Sequence, residues 1–183
     1  QLTAAEREYL FLLAHKSDPL NEAVPAVEPT ILAAVNHVSE PCYLLDVTWQ
    51  VLAWNKDAEA LFSGWLGTEE SPNMMTFMFQ NPLARQLVDN WEARARRIVA
   101  ELRSDAVHYP NDNILNAFVQ QMSDNSPDFR DFWSQQQVIV REGGQRLFHH
   151  AEKGDLVYRQ LSWQLASNRA LKMIMLVPEK PGA

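Results

Sequence analysis

The chain has 183 residues, a formal net charge of −7, and 46% hydrophobic against 21% charged side chains, which suits one globular domain burying about 70% of its unfolded surface. The acidic balance argues against direct nucleic-acid binding, because phosphate contacts draw most of their affinity from Lys and Arg. A single cysteine, Cys42, excludes an intrachain disulfide and a multi-cysteine zinc site, as fits a reducing cytoplasm, and no apolar run approaches the ~20 residues of a membrane span.

Thr3-Ala4-Ala5-Glu6 has the form of a capping box and opens a helix that includes Tyr9 to Ala14, apolar on every side. A short helix without a polar face needs partners all round, so residues 1–16 are expected to be a helix left from a longer chain, its partners lying in a missing segment. Packing on its own domain is the alternative. Residues 17–29, with Pro19, Pro25 and Pro29, read as a linker. Ile31 to Val38 is expected to be a short helix. Cys42–Asp46 and Trp49–Trp54, rich in aromatic and β-branched residues, read as a hairpin turning at Asp46–Thr48. Asn55 then caps a helix over Lys56 to Phe62, with Asp57 near its positive end.

A polar loop with Gly64 and Gly67 leads to Met74-Met75-Thr76-Phe77-Met78-Phe79, too apolar for any setting but the core or a pocket wall. Pro82 to about Val107 reads as one helix of about 39 Å at 1.5 Å per residue. Leu87, Val88, Trp91, Ala95, Ile98, Val99, Leu102 and Ala106 form its inner stripe. Helices over Asn113–Ser123 and Pro127–Gln136 follow. Val138–Glu142, Gly143-Gly144 and Gln145–His150 read as a hairpin, and Asp155–Leu165 and Leu171–Val177 as two further strands. Two strands, a helical block and three or more strands imply an α+β fold, an antiparallel sheet of about five strands with helices over one face, spanning residues 30–183.

Asn55, Ala58, Leu61 and Phe62 after the Trp49-x-Val51-Leu52-Ala53-Trp54 strand begin a series of short motifs. It continues through Asn81-Pro82-x-x-Arg85, Asn90-Trp91-Glu92, Ala95-Arg96, Val99-Ala100-x-Leu102-Arg103-x-Asp105-Ala106, Ser126-Pro127-x-Phe129, Phe132-Trp133 and Glu152-x-Gly154-x-Leu156. In this order and spacing, over nearly the whole chain, they resemble the C-terminal PAS-like ligand-binding domain of MmyB-like helix-turn-helix transcription regulators. Gln136 and His150-Ala151-Glu152 depart from that pattern. The resemblance implies a bacterial regulator's effector-sensing domain that binds an apolar, fatty-acid-like molecule and contacts DNA only through a missing N-terminal DNA-binding domain, whose last helix would be residues 1–16. A homodimer is expected, because such regulators meet paired half-sites.

No phosphate cradle, nucleophile elbow or metalloprotease motif occurs, so no catalytic residue, metal or cofactor is expected. His149, His150 and Glu152 are the nearest approach to a metal cluster, but adjacent strand residues face opposite ways, and surface histidines are the simpler reading. Cys42 reads as a small buried hydrophobe, and Asp105 with His108 as solvated groups at a helix end. The candidate ligand-binding residues are Arg94 and the apolar or aromatic Tyr43, Trp54, Phe62, Met75, Phe79, Trp91, Ile98, Phe118, Trp133 and Trp163, for any one of which plain core is the simpler reading. Arg94, at the edge of the stripe, suits a ligand carboxylate or, more simply, Glu101 on the same flank. Arg96 and Arg103 face away; Arg96 pairs with Glu92. The alternative to a sensor is a ligand-free protein-interaction or dimerisation module.

Overall fold

The computed structural model describes residues 27–109, 111–135 and 144–179. The expected first helix and most of the expected linker lie outside these residues, as does Val138–Glu142. Pro29, read as the linker's end, is the first residue of helix α1 (Pro29–Ala34), which a 3₁₀ turn (Val35–His37) extends. Strands β1 (Cys42–Leu45) and β2 (Val51–Trp54) form the opening hairpin. Helices α2 (Lys56–Leu61), α3 (Met74–Gln80), α4 (Pro82–Leu87), α5 (Trp91–Ala106), α6 (Asn113–Asn125) and α7 (Pro127–Ser134) follow. Strands β3 (Gln145–His150), β4 (Gly154–Leu165) and β5 (Asn168–Pro178) complete the domain. The sheet is antiparallel in the order β2-β1-β5-β4-β3, the α+β architecture expected.

Local chemistry sets most of the helix starts. Side-chain oxygens of Asn55, Asn73, Asn81, Asp112 and Ser126 accept first-turn N–H groups of α2, α3, α4, α6 and α7, satisfying donors that have no partner inside a helix. Proline stands at the first position of α4 and α7, where its missing N–H costs nothing. Asn55 does more than cap. Its Oδ1 accepts from the Cys42 and Ala58 N–H groups, and its Nδ2 donates to the Val38 and Glu40 carbonyls. One buried amide thus ties the chain entering β1 to the start of α2.

The sheet separates two apolar clusters. On one face, α1 and the 3₁₀ turn cover Cys42, Leu44 and Leu171. Burial there pushes the Cys42 thiol up to about 11, so it is an inert part of the core. On the other face lie the remaining helices and the main core. Phe62 sits at its centre, edge-on to Tyr43, Trp65, Phe77 and Phe148 at 5.6–5.9 Å, an arrangement that matches ring edges to ring faces. A second aromatic group joins Phe79, Trp91, Phe129 and Phe132 between α3, α5 and α7.

The single long helix expected from Pro82 is two helices. At Val88 the backbone bridges to Phe148 of β3, and the Asp89 N–H donates to the Leu147 carbonyl at 3.1 Å. Asn90 then adopts φ 44°, a left-handed conformation that Asn tolerates better than most residues. Three residues, of which Val88 and Asp89 bond to β3, interrupt the helical ladder, and α5 starts afresh at Trp91.

Replacing Asn55 with Ala should destabilise the domain by about 3 kcal/mol, since it removes a cap and leaves buried backbone groups unpaired. Urea unfolding should show a lower midpoint at unchanged slope. Asn55→Asp, which keeps the acceptor but not the donors, should fall between; a loss below about 1 kcal/mol for Asn55→Ala would rule out the staple.

Candidate functional site

A cavity of about 350 Å³ lies between the inner face of the sheet and α5. That volume is within the range of small-molecule sites, roughly 300–1,000 Å³. Tyr43 and Leu45 of β1 and Ile174 and Leu176 of β5 form its floor, and Arg94 and Ile98 of α5 its roof. The deep end is closed by Trp49, Phe62, Met74 and Met78, all buried. Asp89, Asn90, Ala93 and Gln145 are the exposed residues of the lining and mark the mouth. The cavity therefore grades from apolar depth to polar rim.

Trp49 reaches the wall through an unusual turn. The Asp46 carboxylate accepts from the Thr48 N–H, the Thr48 hydroxyl and the Gln50 N–H, which holds Trp49 at φ 62°. A bulky residue in this conformation is strained. The Trp49 carbonyl accepts from the Met74 N–H at 2.9 Å, coupling the turn to the start of α3.

One flank of the cavity is cationic. Arg94, Arg97 and Glu101 come from α5, Arg146 from β3 and Gln160 from β4. Arg94 Nη2 donates to Gln160 Oε1 at 2.8 Å, and Arg146 Nε donates to the same oxygen at 3.1 Å. Glu101 Oε1 stands 3.9 Å from Arg94 Nη1 and 3.8 Å from Arg97 Nε, near enough for Coulomb attraction but too far for hydrogen bonds. Burial pushes the Arg94 guanidinium below its ordinary value, with Glu101 opposing. Arg146 is lowered to about 10, by burial first and then by repulsion from Arg94 and Arg97, and so remains charged at neutral pH. Burial raises the Tyr43 phenol to about 12 against the pull of both arginines, leaving it a neutral hydroxyl.

Of the candidate residues, Tyr43, Phe62, Arg94 and Ile98 line this cavity. The other seven lie elsewhere. Met75, Phe79 and Trp91 are buried in the core, and the Trp91 indole N–H donates to the Met78 carbonyl at 2.8 Å. Phe118 and Trp133 pack half-buried on the helical side, and the Trp54 indole donates to Glu59. Trp163 is 42% exposed and, opposite Met173 in register, lies on the outer face of the sheet. A helical wheel could not separate these settings because α5 is buried on two flanks: Trp91 meets α7, whereas Arg94, Ile98 and Glu101 meet the cavity. Arg146, Gln160, Ile174 and Leu176 were not singled out, since only strand pairing brings them to α5. Trp49, read as the start of a strand, was signalled only by Asp46 and Thr48 just before it. Arg96 and Arg103 do face away, stacking on Phe132 and donating to the Phe132 and Trp133 carbonyls respectively.

The histidines divide. His150 is not a surface residue: it is 5% exposed, bonds the Ala60 carbonyl through Nε2, and accepts the Glu152 and Lys153 N–H groups at Nδ1. His149 is exposed and bridges Asp155 at 2.7 Å and Asp89 at 3.1 Å, linking the β3–β4 hairpin to the α4–α5 joint at the cavity mouth. Among the described residues no cluster of His, Cys, Asp or Glu is placed to hold a metal ion, and no helix is long and apolar enough to cross a membrane.

An antiparallel sheet with most of its helices on one face, and a cavity between the two layers, defines the class: an α+β domain of PAS-like form. Residues 27–183 match the family described as MmyB-like transcription regulator ligand binding domain, and the chain belongs to that family. No curated protein gives a significant match.

Hydrogen bonds to Asp155 first and Asp89 second raise the His149 imidazole above its ordinary 6.5. With the folded-state value raised, the clasp's contribution is complete below the unfolded value of about 6.5 and is lost as the pH rises from there through the higher folded-state value. The melting-temperature advantage of the native domain over His149→Ala should therefore be larger at pH 5.5 than at pH 8.5. An equal gap at both would show that the clasp carries no charge.

Proposed function

We propose that this domain is the effector sensor of a bacterial transcription regulator, taking an apolar, fatty-acid-like molecule into the cavity under α5. The supporting observation is the cavity itself, closed at depth by Trp49, Phe62, Met74 and Met78. Apolar walls reward an apolar guest in proportion to the area removed from water. The domain binds rather than catalyses, acts in the cytoplasm, and works with an N-terminal helix-turn-helix domain that makes the DNA contacts. Binding then alters DNA affinity only if the ligand prefers one arrangement of the two domains over the other. A homodimer would match paired half-sites.

A second reading, a ligand-free interaction or dimerisation module, draws on Leu161 and Trp163, exposed at 36% and 42% on the outer sheet face. Exposed apolar patches mark interaction surfaces. Native mass spectrometry followed by denaturing extraction, together with thermal shifts from added dodecanoate, separates the two. A ligand at 100 times its Kd should stabilise the fold by about 2.7 kcal/mol, and Ile98→Phe, which fills the roof, should weaken that effect at least about tenfold in concentration. No recovered lipid and no shift would leave the interaction module as the better account.

A further inference from the structure

Resting on the sensor reading above, we propose that the cationic flank of the cavity is a built subsite for one oxyanion, the carboxylate or phosphate head of the ligand, gripped by Arg94 and Arg146. These two guanidiniums share a single neutral acceptor, Gln160 Oε1. Gln160 Nε2 donates to the Ser162 hydroxyl at 3.2 Å, which holds the amide oxygen towards the arginines. Two cations drawn to one uncharged oxygen repel each other and gain only the weaker, neutral-acceptor kind of hydrogen bond. Arg94 Nη1 is shielded from solvent and makes no hydrogen bond among the described residues. Buried charged donors in that state are costly and are expected to meet a partner.

Glu101 does not fill the role. At 3.9 Å it offers Arg94 attraction without a hydrogen bond, and its charge is shared with Arg97. Asp89, the other acid of the lining, is held by His149 at the mouth. The Tyr43 hydroxyl, neutral and lining the same cavity, adds a further donor. Arg94 also lies in the first turn of α5, whose dipole favours negative charge, and Asn90 offers that turn no side-chain cap. Arg94, Arg146 and the Tyr43 hydroxyl can all donate here, and an acceptor-only group fits such a set. Its tail would run to the Met74–Met78 end.

The probes are decanoate, decyl phosphate and decan-1-ol, titrated calorimetrically into the full chain. At least one charged probe should bind about 10–100-fold tighter than the alcohol, the range expected of charge-assisted hydrogen bonds, and whichever charged probe binds better identifies the head. Arg94→Gln and Arg146→Gln should each shrink that preference to within about threefold, chiefly by weakening the charged probe. Gln160→Glu, which seats a carboxylate between the arginines, should raise the melting temperature and weaken decanoate at least about tenfold. Equal binding of all three probes to the native protein, or arginine variants that keep the preference, would overturn the subsite and leave the sensor intact. So would a Gln160→Glu protein with a lower melting temperature and unchanged decanoate affinity. Failure of every probe to bind would overturn both.

Discussion

The short pairing of Val88 and Asp89 with β3 is the constraint on which the rest of the domain depends. It replaces what would otherwise be continuous helix with two anchored residues, and it fixes where α5 begins above the sheet. From that point α5 runs for 16 residues with one flank on α7 and the other over β1 and β5. The separation of α5 from the sheet is then set at one end by backbone hydrogen bonds and at the other by the Lys172–Asp105 ion pair at 2.8 Å. Between those supports the side chains do not fill the gap. Phe62 and its ring of aromatic neighbours pack tightly at the side of α2 and α3, and the space left beneath Ile98 is the cavity.

Arginines serve two purposes that the fold keeps apart. On the outer flank of the helical block, Arg85 lies 3.6 Å over the Trp91 ring and Arg96 4.0 Å over Phe132. There the planar cation covers an aromatic face while its edge stays near water, which stabilises packing at little desolvation cost. On the cavity side Arg94 and Arg146 are drawn out of water towards one amide oxygen, and burial lowers both from their ordinary values. Similar side chains thus act as mortar in one place and line a cavity in the other, where the buried Arg94 Nη1 makes no hydrogen bond among the described residues. The difference lies in the neighbours: aromatic faces on the first side, a neutral amide oxygen and apolar walls on the second.

How much could be read beforehand follows the range of the interactions. Asn55 as a cap, the opening hairpin and the two-then-three strand division rest on residues close in sequence, and the structure reproduces them. The break before Asn90 was hidden because its cause, β3, lies far along the chain; on local periodicity alone Leu87 and Trp91 belong to one stripe. Arg146 and Gln160 were hidden for the same reason, since their meeting with Arg94 requires the β3–β4–β5 register. Large apolar residues were recognisable as interior, but whether Trp91 packs on α7 or Tyr43 faces a void depends on the crossing of elements in space. Four of the eleven candidates meet at the cavity, and the others are distributed through core, half-buried flank and outer face.

For a domain of the MmyB-like family, a cavity with apolar depth, a cationic flank and a mouth at the α4–α5 joint supplies a physical path from ligand to conformation. A guest would press on Ile98 and Arg94 of the helix and on Ile174 of the sheet at once, altering the one separation that the joint holds. The most direct measurement is a crystal structure of the protein grown with dodecanoate. The account predicts an elongated density between α5 and the sheet, its broad end beside Arg94 and Arg146 and its tail among Trp49, Met74 and Met78. A cavity closed by protein side chains, or ligand density only on the outer surface, would contradict it.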